Sequence, residues 1–532
     1  MKTSICVPTV ATAPRLRLFC AFFCLLFSTV FVSAQGAGST ASSMSGQANR
    51  VADGADLSVM KRLSGHIPSW ATAANDAGEA AAGETSADTT RQITFVLNRS
   101  PEKEAAFTQL LAEQQNPASS NYHKWLSPEE IGTLYGPTPH DISALTGWLT
   151  TQGLTVVEVS PTNIFVTVKG PSETVATALR TSFRTFKVNN ESRRSVTVEP
   201  SVPAALASLV SSVHGLSDIR VYHGHHHAAD ARPNLTLGDG TKHVITPANF
   251  AAIYDVNPVY HAGFDGTGQN VAVVSDSLIN ETDISDFENR MGLPLNLPTT
   301  INAEQIINPN LPLVFSAEEQ EADLDVERVI GTAPGAHVDL IVGRSTGWND
   351  GIWDAIKYAI YNQRDPILSI SYSEGCDGSS YIFSTFVDDF MDAAAEGISV
   401  FVSSGDGGAD TCFAGQKTIN PICASPYVTC VGGTELNEGN TPGAYWSDDP
   451  NNLATALKYI PEVAWNDNGS DSIGGGGAAP DYIYNGGTPS WQQNVFGVPK
   501  DGLRYIPDIS FAASVVHDGY YFALPQPEMV AP

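Results

Sequence analysis

Residues 383–408 read FSTFVDDFMDAAAEGISVFVSSGDGG. The part up to Gly397 spaces its apolar residues as a helix does and stops at glycine. The next residues, Ile398–Gly408, form an unbroken apolar strand that runs into a glycine-rich turn holding Asp406. The alternation repeats upstream. QNVAVVSDS (269–277), HVDLIVG (337–343) and PILSISYS (366–373) read as strands, separated by an acidic helix and by the helix GIWDAIKYAIYNQ (351–363). Continuous apolar strands alternating with helices predict an α/β fold, a doubly wound parallel sheet, beginning near Ile245. Chemistry in such sheets gathers at the carboxyl ends of the strands.

The acidic helix belongs to the stretch EEQEADLDVERVIGTAPGA (318–336). Glu321 and Asp325 lie four residues apart and so share a helix face, bordering the apolar stripe Ala322, Val326, Val329. Neighbouring buried carboxylates cannot both ionise at low cost, so such a pair holds one proton and can act as a base with its orienting acid. Glu319/Asp323 and Asp323/Glu327 have the same spacing, and a solvated face is as good a reading on spacing alone. Asp406, just past a buried strand, can reach a cleft; taken alone it is an ordinary turn aspartate.

Upstream lies a different pattern. RQITFVLNRS (91–100) reads as a strand and PEKEAAFTQLLAEQQ (101–115) as a helix. Ser127-Pro128-Glu129-Glu130 is a capping box that opens another helix. A further helix (140–153), two strands (154–160, 164–170), a helix (172–181) and a strand (182–188) complete an α+β, ferredoxin-like split βαβ sandwich over 91–222. Residues 35–90, rich in Ala, Ser and Gly, read as a poorly ordered leader. The segment 223–244 holds five histidines, four of them within 223–227, among Gly, Ala and Pro; it reads as a linker whose histidines charge in acid rather than as a metal site.

The 532 residues are 42% hydrophobic and 16% charged, with a formal net charge of −29. That excess disfavours nucleic acid as a partner and suits work in acid. Arg15 and Arg17 precede the apolar run LFCAFFCLLFSTVFV, and Val32-Ser33-Ala34 offers a cleavage site, so 1–34 reads as a signal peptide and the protein as secreted. No later segment reaches membrane-spanning length. Beyond the signal, Cys376, Cys412, Cys423 and Cys430 form an even set for an oxidising compartment. Of three possible pairings, Cys376–Cys412 with Cys423–Cys430 is preferred.

Taken in order, EADLDVERVIGTAPGA, ISVFVSSGDGG, CASPYVTCVGGT, GGGGAAPDYIYNGGTPSWQ and IPDIS resemble the sedolisins, the serine-carboxyl peptidases. NYHKWLSPEEIGTLYGPT (121–138) resembles the activation prodomain of kumamolisin-like members. The resemblance implies a subtilisin-like peptidase domain over 245–532. The distance to APGA selects Glu321 as the catalytic glutamate, Asp325 as its partner and Asp406 as the acid of the oxyanion hole. It implies that Ser371 and Tyr372 pair with peptide backbone and that Gly475 and Gly476 form the facing wall; Ser373 stands where the family commonly has glycine. It implies peptide substrates, the prodomain as an intramolecular inhibitor, and acid release as linker histidines charge and interface carboxylates are neutralised. Subtilisin itself is the near rival through Asp276, but no H-G-T-H setting occurs, so Asp276 reads as a structural or cleft residue. A glycosidase would need carboxylates that flank a bond, and a four-residue helical pair faces one side.

The family's nucleophile sits in a G-T-S motif some tens of residues beyond the segment matching IPDIS. No G-T-S occurs here, and Pro532 lies 22 residues after Ser510. The expectation is a zymogen whose sequence stops before its nucleophile and before the family's calcium site. The rival is a non-catalytic, secreted peptide-binding protein on the same scaffold.

Overall fold

The structure, a computed structural model, describes residues 48–78, 90–188, 191–218, 222–223, 243–346, 350–373, 380–411, 417–447, 452–467, 472–479, 484, 486–514 and 516–523. The expected signal peptide, most of the linker histidines, and Cys376 and Cys412 lie outside the described residues.

The strand-helix alternation folds as a parallel sheet. Strands Thr299–Asn302, His337–Val342, Asn270–Ser275, Ile367–Ile370, Ser399–Ser403 and Thr429–Leu436 pair side by side in that order, all parallel. Ile509–Ala512 adds a parallel neighbour to Thr429–Leu436, and Glu462–Ala464 an antiparallel one. Successive side chains of a strand leave on opposite faces, so the unbroken apolar strands require cover on both sides. Val273, Leu340 and Val342 pack under helix Glu319–Thr332 through Ala322, Val326 and Ile330. Ala272, Val274 and Ile341 face the other way, under helices Gly351–Tyr358 and Ser380–Glu396.

The prodomain sheet runs Thr155–Val159, Phe165–Pro171, Thr90–Leu97, Val210–His214, all antiparallel. With strands numbered by sequence this is the order 2-3-1-4 of a split βαβ sandwich. The capping box at Ser127 forms as expected, with Ser127 and Glu130 each accepting the other's backbone N–H. The leader reading of 35–90 needs correction, because residues 48–78 are built into this domain. Arg50 N and Val51 N both donate to Asp141 Oδ1 at 2.9 Å. Met60–Arg62 pairs with Ser201–Pro203, and Asp76–Gly78 with Phe183–Val188. His66 Nε2 accepts Val213 N at 3.0 Å, and Trp70 meets the edge of Phe186. The anchors Val51, His66 and Trp70 are isolated in sequence and follow no period, so composition concealed them.

The prodomain sits on the two helices that cover the outer face of the sheet. Val96, Ile164 and Phe165 join the core cluster of Trp353, Phe386 and Phe390. Trp125 lies against Gly397, where a Cβ would come within 2.6 Å of the indole and where φ is +83°. Leu126 N donates to Ala395 O at 3.0 Å. Arg99, buried, is hydrogen-bonded to Asp392 and lies 3.5 Å from Asp388. Among the described residues no helix is long and apolar enough to cross a membrane.

The buried titratable groups of this interface bear on the expected acid release in opposite directions. Burial, only partly offset by Arg99, raises Asp388 to about 7 and Asp392 to about 6. Where undocking returns them to the ordinary range near 4, protonation between about pH 7 and 4 favours the docked state. On that condition neutralising these carboxylates would oppose release, the cost of burial outweighing their attraction to Arg99. His214 acts in the other direction. Its Nε2 lies 2.9 Å from Thr385 Oγ1 and its ring stacks near Trp353; burial, with His66 and Lys357 adding to it, holds the imidazole well below its usual range. Its contribution to docking is complete above about pH 6.5 and is lost as pH falls toward the depressed value. In a chain nicked within the linker, His214→Gln should keep the prodomain co-eluting on gel filtration to a lower pH than the parent. Release profiles that overlay between pH 7 and 3 would remove His214 from the switch.

Candidate active site

Glu321 and Asp325 project from the first two turns of helix Glu319–Thr332, on a face separate from its sheet-facing stripe. Glu321 is 5% exposed. Asp325 accepts a hydrogen bond from Ser371 Oγ at 2.8 Å, so the first residue beyond strand Ile367–Ile370 fixes the carboxylate's orientation. Asp406 stands beyond strand Ser399–Ser403 in the turn Ser404–Gly408. All four residues line one cavity of about 430 Å3 at the carboxyl ends of the parallel strands, with Phe250, Phe401, Trp465 and Phe511 among its apolar walls.

Tyr372 does two things, of which the sequence suggested one. Its backbone pairs antiparallel with His223, and Ser373 with Tyr222, so the chain leaving the prodomain lies as a strand along the cleft-lining segment. Its phenol is buried; burial first, then the charges of Asp276, Glu321 and Asp325, hold it well above its usual range. The phenol thus feels the charge of the carboxylate pair and of Asp276 from within the core. A tyrosine next to the strand motif was the available signal.

The glycine run does not form the expected wall. Neither Gly475 nor Gly476 lines the cavity. Gly475 N donates to Gly405 O at 2.6 Å and Ile473 N to Asp406 O at 2.9 Å, so the run straps down the turn that carries Asp406. Its bare backbone is needed for contact with another backbone, since a Cβ on Gly475 would stand 2.2 Å from Ser404 O. Cys423 and Cys430 are disulfide-bonded beneath this region.

Known proteins share this sequence pattern. The sequence profile of the "Pro-kumamolisin, activation domain" matches residues 78–219. Sedolisin of Pseudomonas sp. (strain 101) is 27% identical over 458 residues, covering 82% of this chain and 71% of that protein. Kumamolisin of Bacillus sp. (strain MN-32) is 25% identical over 494 residues, covering 88% of this chain and 82% of its own. The match to xanthomonalisin of Xanthomonas sp. (strain T-22), at 26% identity, covers 77% of this chain and 52% of that protein. Among solved structures, Pseudomonas sedolisin complexed with two molecules of pseudo-iodotyrostatin aligns with a TM-score of 0.40 at 25% identity, over 52% of this chain and 72% of that one.

The strap makes a structural forecast. Gly475→Ala should lower stability by about 1–3 kcal/mol or more, because the Ser404 and Gly405 carbonyls it would strike are backbone. Gly443→Ala, with nothing within 4 Å of its added carbon, is the control. Equal thermal midpoints for the two variants would show that the strap tolerates a side chain.

Proposed function

This chain belongs to the sedolisin family of serine-type peptidases, and from that premise we propose that it is the zymogen of an exported, acid-acting peptidase whose working carboxylates are Glu321, Asp325 and Asp406. The observation that carries the reading is the convergence of the three on one cavity whose edge already holds a paired peptide strand.

On this reading Glu321 takes the proton of a serine hydroxyl, and Asp325, itself held by Ser371, keeps Glu321 in place. Asp406 donates to the oxyanion, which it can do only as the neutral acid, so turnover belongs to acid pH. The pairing of residues 222–223 with 372–373 mimics a bound peptide, so the docked prodomain blocks the cleft until the linker is cut. The domains are then the prodomain, extended back to include 48–78, a linker over 223–244, and the peptidase domain from 245. Export rests on the charged and apolar pattern of residues 1–34 and fits the disulfide Cys423–Cys430. The serine itself is not assigned, since residues 1–532 hold no G-T-S.

The test is peptide cleavage from pH 2 to 8 by a form that supplies a G-T-S segment after IPDIS. The rate should peak below about pH 5, and Glu321→Gln should abolish turnover while leaving the fold intact. A maximum near neutrality would sink the carboxylate roles. Cleavage by residues 1–532 alone, lost in Ser371→Ala, would move the nucleophile to the hydroxyl that already touches Asp325.

A further inference from the structure

Helix Glu319–Thr332 carries a second set of carboxylates on the face turned away from the cavity. Glu319 and Asp323, one turn apart, meet Asp283 from the first turn of helix Glu281–Met291. One oxygen from each lies within 4.8 Å of the others. Asp323 is fully buried and Asp283 3% exposed. Neither oxygen of Asp323 has a hydrogen-bond partner among the described residues, nor does Oδ2 of Asp283.

This arrangement is costly without a ligand. Buried carboxylates are ordinarily hydrogen-bonded, paired with a cation or bound to metal. Here the charges acting on Asp323 are those of Asp283 and Glu319, and Asp283 faces Asp286, all of one sign. Among the described residues no lysine or arginine pairs with any of the three. The nearby Arg328 serves Glu327, Tyr521 O and two aromatic rings instead. Two helix N-termini supply some positive potential, but that field fades within the first turn, and Asp323 lies in the second.

We propose that Asp283, Glu319 and Asp323 bind a hard divalent cation, Ca2+ or Mg2+, that ties helix Glu281–Met291 to the helix bearing Glu321 and Asp325. The donor set is all oxygen, as such ions require. Oxygens on one Ca2+ lie about 2.3–2.6 Å from it and so up to about 5 Å apart, which the cluster satisfies; water completes the shell. The site lies in the body of the domain, between helices Glu281–Met291 and Glu319–Thr332. It does not depend on the peptidase reading, because the ion would bind whether or not the cavity is catalytic.

The test uses the full chain at pH 7.5, stripped with chelator and titrated with CaCl2 or MgCl2. Melting should rise with one of the two ions, and elemental analysis after desalting should find about one ion per chain. Asp323→Asn and Asp283→Asn should each weaken binding at least about tenfold, since ligand charge sets affinity. Glu319→Gln, at the partly exposed start of the helix, gives the same readout where a core variant fails to fold. At pH 4 protons compete and the shift should shrink. No bound ion and no change in melting for the parent would overturn the site and leave the cluster as a proton-sharing group. A shift that survives all three substitutions would place the ion elsewhere and overturn it equally.

Discussion

One helix has to satisfy three surroundings at once. Glu319–Thr332 gives Ala322, Val326 and Ile330 to the sheet, Glu321 and Asp325 to the cavity, and Glu319 and Asp323 to helix Glu281–Met291. Glu327, buried as well, accepts Ala523 N and is raised to about 9, chiefly by burial. At 100° per residue the cavity pair lies roughly opposite the other carboxylates, which run along the edge of the apolar stripe, so rotation to relieve one face would expose another. The sheet contact fixes the rotation, because the apolar stripe has only one place to go. The position of Glu321 is therefore set by Val326 and Ile330, far from any chemistry.

The prodomain faces a related constraint. Helix Ser380–Glu396 carries Asp388, Asp389, Asp392 and Glu396, all raised by burial to values of about 6 to 8. Arg99 from the prodomain, Arg364, and the Trp353 and Tyr361 side chains supply the donors for this helix. Losing one member of a buried charged set leaves the rest uncompensated, which commonly costs about 3–5 kcal/mol. The docking surface is thus an apolar patch around Trp353 and Phe386 with a buried polar seam beside it. The seam gives register, since Arg99 reaches Asp392 in one alignment only.

Much of the fold was legible because it rests on periodicity. Unbroken apolar runs declared four of the parallel strands, though not Thr299–Asn302, Thr429–Leu436 or Ile509–Ala512, and the Ser127 capping box declared a helix start. The family resemblance, with the distance to APGA, chose Glu321, Asp325 and Asp406, and all three line the cavity; taken alone, Asp406 read as an ordinary turn residue. What stayed hidden depends on tertiary packing. Isolated anchors such as Trp70 pull 48–78 into the prodomain without any local pattern. Asp323 has the spacing of a solvated face, and only helix Glu281–Met291 packed across it buries it. Gly475 read as a gap for substrate, yet its neighbour is the backbone of Ser404, a contact from seventy-one residues away in sequence. The Tyr372 phenol follows from the same cause, since a strand motif predicts backbone pairing and says nothing of where alternate side chains end.

The proposed roles place three titrations in opposition. Asp406 must be neutral to donate, so the site needs acid. The Asp283/Glu319/Asp323 set holds a cation only while ionised, so that tie needs neutral pH. Burial holds the His214 imidazole well below its usual range, so charging it would work against docking. A chain exported at neutral pH would therefore have its helix tied, its prodomain docked and its oxyanion donor ionised. Acid reverses all three, and the interface carboxylates delay the reversal because their protonation favours docking. The steepness of activation then depends on how far His214 must be charged before the seam around Arg99 yields. On the proposed reading, the packing of one imidazole against Trp353 and Thr385, outside the cavity, would help set the threshold.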